Sequence, residues 1–421
     1  MEAEVSEVIT ASQHNASLSL LQGSSNGVVD ERSLRRMLTY CFELLMALLS
    51  TIAVLAVASV SFAGYGLSIL LGKISPLVKG YAFLSSTYDQ VLERIGPSVL
   101  RDSRDTPALR LMVSITLTTV PIFVAQLVLY KVNLLLVVAF YLSLYGLKFN
   151  RFVRMFSVKH LEAHRRQGFF SDRYDKIFGH YVEFFLAYFY GSLPELDRTS
   201  HVRLHHKEHN GPHDTSDSRR FDRTSRWDFF SGYLTKNFWT MVGIASYRYF
   251  KAKGQVKNER RMLSGMVRYY SFFFVVFLYN WQIGILYLLI PLLAMNFITA
   301  IINWVQHAFY DPDHPDEYFA HTVTVLDEVN FMNEGYHLCH HHGAGLHWTE
   351  MPAHFDRLAD RMRTSGSLVF RDIDFMDLFF EMTLLRRLDV LADKLVPWEP
   401  MTHEERVSLL KKRTQPCAIL G

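Results

Sequence analysis

Residues 333–341 read Asn-Glu-Gly-Tyr-His-Leu-Cys-His-His, and their spacing decides what kind of chain this is. His337, His340 and His341 stand at relative positions i, i+3 and i+4, on one face of a helix and one turn apart. Imidazole suits iron, copper, zinc and nickel, and three converging rings make most of a metal site. A lone histidine on a helix is ordinarily a surface residue; a patterned cluster asks for partners elsewhere in the chain.

Such partners exist. The chain holds 19 histidines, and all but His14 and His403 fall between His160 and His354. His160-Leu-Glu-Ala-His164 is an i, i+4 pair on one helical face. In His201-Val-Arg-Leu-His205-His206, a rotation of about 100° per residue returns His205 over His201 and turns His206 roughly 140° away. A fan of that width suits two ions better than one. His205-His206-x-x-His209 is a second register of the same box, with His209 in place of His201. His307 stands alone in Asn303-Trp-Val-Gln-His307, and His342 extends the third cluster by one, which leaves its adjacent pair open. His180, His213, His314, His321, His347 and His354 lack such spacing and read as surface or structural residues.

Hydropathy brings these boxes to one side of a membrane. Residues 44–72 carry no charge, enough for one tilted crossing of a hydrocarbon core roughly 30 Å thick. Residues 111–130 and 132–147 are apolar on either side of Lys131 and read as a hairpin, followed at once by Lys148, Arg151, Arg154 and Lys159. By the positive-inside rule that end is cytoplasmic. Residues 269–306 are again uncharged, about 57 Å of helix at ~1.5 Å per residue, so they form a second hairpin turning near Asn280, Gln282 and Gly284. A hairpin returns the chain to the side it left. Both histidine-rich regions therefore meet on the same face. Residues 177–193 contain His180 and Glu183 and read as buried or interfacial, while 197–226 are too polar for lipid.

The expected fold is thus all-α: a multispan helical membrane protein with a cytosolic helical cap carrying the histidine boxes. Residues 1–36 read as a flexible polar tail without a signal or transit pattern, and 37–110 as the first span with an interfacial segment. Residues 111–355 form the histidine-bearing membrane domain, and 356–421 a charged, helical cytosolic segment. A formal net charge of +3 with no basic, aromatic-interleaved run excludes nucleic acid as a partner. Cys41, Cys339 and Cys417 cannot build a disulfide framework.

The three boxes, His-x3-His, His-x3-His-His and His-x2-His-His, interleaved with membrane hairpins, resemble the integral-membrane fatty acid desaturase and hydroxylase superfamily. The resemblance implies two non-haem iron ions held by His160, His164, His201, His205, His206, His307, His337, His340 and His341 at the cytosolic face. Asn303 matches an asparagine that approaches the metal through water in acyl-CoA desaturases. O2 is the implied co-substrate and an acyl chain the implied substrate. Gly343-Ala344-Gly345 follows the third box where the family often has proline.

The chemistry agrees. Attack on an unactivated methylene needs a redox-active metal, which zinc is not. A soluble diiron-carboxylate bundle needs two Glu-x-x-His pairs and further glutamates, and only Glu334-x-x-His337 has that spacing near the boxes. Glu162, Glu208, Asp311 and Glu328 are candidates to orient imidazole N–H groups. The reaction expected is O2-dependent desaturation of an acyl chain in the bilayer. Hydroxylation or oxygenation of acyl, sphingoid, alkyl or carotenoid chains is the alternative within the class. Electrons come from a separate cytochrome b5 or ferredoxin docking on the cytosolic face, and the endoplasmic reticulum is the expected membrane. The rival from another class, a histidine-rich metal transporter, would place its ligands within the spans, near the midplane; here the boxes follow the spans.

Overall fold

In lipid every backbone N–H and C=O must be satisfied internally, so an uncharged apolar run of sufficient length closes into a helix. The computed structural model describes residues 31–315, 317–327 and 330–417, so most of the expected tail, 1–36, and Glu328 lie outside the described residues. Among those described, five helical stretches are long and apolar enough to cross a membrane. They are α1 (Glu31–Leu71), α3 (Thr106–Leu129), α4 (Leu134–Tyr145) running on into α5 (Asn150–His164), α7 (Val256–Tyr279) and α8 (Trp281–Gln306). The chain is an integral membrane protein, mainly helical with almost no strand, with α2 (Ser75–Val99) between the first two spans. It divides within α1, between Met46 and Ala47, into two units; everything below concerns the second.

The two expected hairpins turn where their polar residues allow it. Gln126 receives the Asn133 backbone N–H and donates to the Lys131 carbonyl, while the Asn133 side chain caps α4 at Leu135 and Leu136. Asn280 caps the start of α8 and donates its amide to the Tyr130 carbonyl at 2.7 Å. The tips are thereby tied to each other, with Tyr130 and Tyr279 packed edge to face. One boundary differs from the hydropathy reading: α7 begins well before residue 269 and carries Arg260, Arg261 and Arg268 ahead of the uncharged run. An α-helix whose backbone is already satisfied has no reason to stop where its side chains become charged.

At the opposite end Gly146, at φ +73°, breaks α4 from α5. The third box occupies α9 (His337–His342), whose approach is fixed by a backbone bond from Val325 to the Gly335 carbonyl. A Cβ on Gly335 would lie 1.9 Å from the Val325 carbonyl oxygen, so only glycine fits there. Val325 belongs to a parallel pair of short strands, β1 (Thr324–Leu326) and β2 (Val369–Arg371), which brings the C-terminal segment beneath the box. α10 (Met351–Thr364) and α11 (His403–Thr414) complete that cap. Residues 177–193 are mostly buried and only briefly helical, with short turns at Tyr181–Phe184 and Leu186–Tyr188, as an apolar stretch interrupted by His180 and Glu183 requires.

One buried carboxylate holds the histidine end of the bundle together. Asp105, fully buried at the start of α3, takes both Arg165 guanidinium nitrogens at 2.6 and 2.8 Å. It also accepts from the His347 ring at 3.1 Å and the Trp348 indole at 3.2 Å. Arg165 directly follows His164, and His347 and Trp348 follow the third box, so Asp105 joins two boxes. Removing one member of a buried pair leaves the other uncompensated. Asp105→Ala is expected to destabilise the fold by roughly 3–5 kcal/mol, read as a lowered thermal midpoint in detergent micelles; an unchanged midpoint would contradict this role.

Candidate metal centre

Eight of the predicted histidines form two groups of four. His160, His164, His201 and His340 bring one ring nitrogen each to within 4.8 Å of one another, and His205, His307, His337 and His341 do the same beside them. The winding of each helix decides which group its histidines enter. On α5 the i, i+4 pair His160 and His164 enters one group. On α9, His337 and His341 point to the second group and His340 to the first. The middle box departs from the expected geometry. Residues Asp197–His205 wind as a π-helix, with the His206 N–H bonded to the His201 carbonyl five residues back. His206, not His205, therefore returns over His201, their Nε2 atoms 2.9 Å apart, and His205 swings to the second group. The expected α-helical phase is wrong, yet the fan across two sites remains.

The nitrogens sit as ligands would. Nε2 of His340 lies 2.7 Å from that of His160 and 3.0 Å from that of His164. In the second group the Nε2 separations are 3.1 Å for His205–His307, 3.3 Å for His307–His337 and 3.1 Å for His337–His341. An Nε2 carries either one proton or one lone pair, so the linked contacts cannot all be good hydrogen bonds. Two nitrogens about 2.1 Å from one ion and at right angles to each other lie about 3.0 Å apart, which is the spacing seen. Burial, reinforced by the neighbouring rings, pushes the His201, His337, His340 and His341 imidazoles well below their usual range and keeps them neutral. Neutral imidazole is the form that binds metal. The residues present fit two ions.

Fixed partners aim several of these rings. Asp214, fully buried, accepts from His205 Nδ1 at 2.7 Å and is held by the backbone N–H groups of Asn210 and Ser216. The His307 Nδ1 faces the His321 carbonyl at 3.3 Å. Glu334, largely withdrawn from water so that its carboxyl is pushed up to about 7, lies 3.9 Å from His160 Nδ1. Lys159, itself buried, ties α5 to the start of the π-helix through Asp197 at 2.8 Å and Ser192 at 2.9 Å. Arg223 reaches the carbonyls of Ala308 and Arg413 and so clamps the loop after His307 to α11.

A family model described as fatty acid desaturase matches residues 105–372. The chain belongs to the fatty acid desaturase family. No curated protein and no solved structure matches it. Membership makes the chain an oxidoreductase of the lipid desaturase and hydroxylase type, in a family that uses two irons.

His206 joins neither group of four, but stacks on His341 at 4.3 Å and approaches the first group through His201. His209 stacks on Tyr318 and meets His341 only through Nδ1 atoms 3.4 Å apart. His342 turns away to the His354 ring at 3.1 Å, so the clustered adjacent pair is His340 and His341. Cys339 packs with Phe319, Leu338 and Met351 on the back of α9, where burial pushes its thiol up to about 12. Asn303 borders a cavity shared with His160, His201 and His205, and donates to the Ser216 carbonyl and the Tyr233 hydroxyl.

Of the acidic candidates, Glu162 instead caps the turn at Val182 and Glu183, Glu208 accepts from Tyr249, and Asp311 pairs with Arg413 and His314. Sequence reasoning passed over Asp214, whose only local signal is its place in a Gly- and Pro-containing turn. Asp214→Asn retains an acceptor but loses the charge that fixes the His205 ring. A metal affinity lowered ~10–100-fold, measured by competition with a chelator, is the expected result; unchanged affinity would remove Asp214 from the site.

Proposed function

We propose that this protein is an O2-dependent lipid desaturase whose two metal sites are the two groups of four histidines. The observation that carries the reading is that both groups border a single cavity: His160 and His201 from one and His205 from the other line it. Two irons bound there would supply O2 reduction coupled to hydrogen abstraction from an unactivated C–H bond. His206, beside His201, is available as a further nitrogen for the first site, and Asn303 faces the same cavity at the far edge of the rings.

The protein's own groups hold and dry the site. Asp214 and the His321 carbonyl keep His205 and His307 turned inward, so each Nε2 presents its lone pair. Leu204, Val305 and Leu338, each within two residues of a clustered histidine, are fully buried, which keeps bulk water from the elements that carry the rings. In desaturation two hydrogens leave adjacent carbons, while O2 takes up two electrons and two protons and departs as two waters. Hydroxylation uses the same electrons and protons but places one oxygen atom in the product and releases one water. The form of the third box favours desaturation, as the resemblance implies.

Electrons come from a separate one-electron carrier, a cytochrome b5 or a ferredoxin. Lys148 and Arg154, close to the histidine end, support a cytosolic orientation of that end by the positive-inside rule, and the endoplasmic reticulum is the membrane proposed. The metal-transporter alternative fares worse, since His164 and His307 stand at the ends of spans rather than at mid-depth.

Expression in a host lacking its own desaturases, with mass spectrometry of total lipids, tests the function. A new lipid carrying a double bond, absent with His337→Ala, is expected. Unchanged lipids together with altered cellular zinc or iron would instead support transport.

A further inference from the structure

The cavity beside the metal sites has apolar walls at Phe156, Leu196, Met241 and Ile302, but one side of it is a row of polar groups that a plain acyl chain would leave unpaired. On α8, Asn296, Thr299, Asn303 and Gln306 recur at intervals of three and four and so share one helix face. Thr299, Asn303 and Gln306 line the cavity, over roughly 10 Å of helix. Opposite them stand Asn237 and Thr240 of α6 (Leu234–Met241) and Ser200 of the π-helix. The face leads directly to His307, the residue after Gln306.

Most of these side chains are engaged. Asn237 donates to Asn296, Asn296 to Ser50, and Ser200 pairs with Ser246. Two are not. The Thr299 hydroxyl and the Gln306 Nε2 are buried, belong to residues that line the cavity, and have no hydrogen-bond partner among the described residues. A helical threonine commonly satisfies its hydroxyl on the carbonyl one turn back, and an unpaired buried donor is costly in a membrane protein. Polar residues that face the interior of a membrane bundle mark a path for something polar. Gln306 ends the span and Thr299 lies about 10 Å further in, so this polar wall runs from the histidine end into the membrane-spanning part of α8.

We infer that the cavity takes the head-group end of its lipid, with Gln306 donating to a carbonyl or hydroxyl oxygen and Thr299 bonding a second polar atom of the same group. The carbons presented to the metal sites are then the first few beyond an amide, ester or hydroxyl, and oxidation falls there and not at mid-chain. This rests on the desaturase reading above. Oxygen, protons and electrons balance as given there, with the same external one-electron carrier as reductant. Gln306 and Thr299 position the substrate and do not touch the reacting atoms.

The test uses the full-length chain in a desaturase-deficient host, comparing wild type, Thr299→Val and Gln306→Leu. Three readouts are taken: the position of modification along the chain, the rate of product formation, and the iron content of the purified protein. The expected result is modification within the first few carbons of the head group in wild type. Gln306→Leu should then slow that product about tenfold, the loss of one hydrogen bond, with iron content unchanged. The class of lipid modified distinguishes amide from ester and hydroxyl head groups. Modification at mid-chain would overturn the inference while leaving the desaturase reading intact. So would a position and rate unaltered in both variants, which would mean that the two polar groups bind only water. No oxidised lipid at all would sink the desaturase reading, and this inference with it.

Discussion

Neutral imidazole nitrogens held 2.7–3.3 Å apart are the constraint on which the rest of the molecule depends. Lone pairs at that distance repel unless a cation lies between them, and the rings themselves are polar groups taken from water. Folding alone would not gather them. The surrounding structure spends much of its polar inventory holding them there: Asp214 on His205, Asp105 on the segments after the first and third boxes, Lys159 on the start of the π-helix, and Arg223 on the loop after His307. The two hairpins, tied at their far tips by Asn280, set the depth at which the histidines emerge.

The spans and boxes were legible because both depend on local spacing. Charge-free runs give helices in lipid whatever their partners, and the i, i+3, i+4 pattern of His337, His340 and His341 defines a face without knowledge of what it faces. The separation of roles along α9 was equally local in origin: Leu338 and Cys339 alternate with the ligand candidates and face the apolar packing beneath.

What could not be read depends on long-range pairing or on winding. The π-helix at Asp197–His205 shifts the phase of the middle box, and nothing in His201-Val-Arg-Leu-His205-His206 announces it; the winding exchanges the roles expected of His205 and His206. The division of histidines into two groups of four joins residues as far apart as His160 and His340. Glu162 lies between two ring-bearing residues, yet α5 turns it away to cap Val182 and Glu183. Glu334, whose neighbours in sequence gave no hint of a role, is partly buried opposite His160. Proximity in sequence misleads for carboxylates because their orientation is fixed by the element beneath them.

The central claim is that the two groups of four hold a pair of irons. Metal content of the purified, full-length protein tests it most directly, by elemental analysis of wild type, His201→Ala and His337→Ala. The account predicts about two irons per chain in wild type, with iron lost from each variant, because each removes a nitrogen from a different group. Wild-type protein carrying a single zinc and no iron would contradict it.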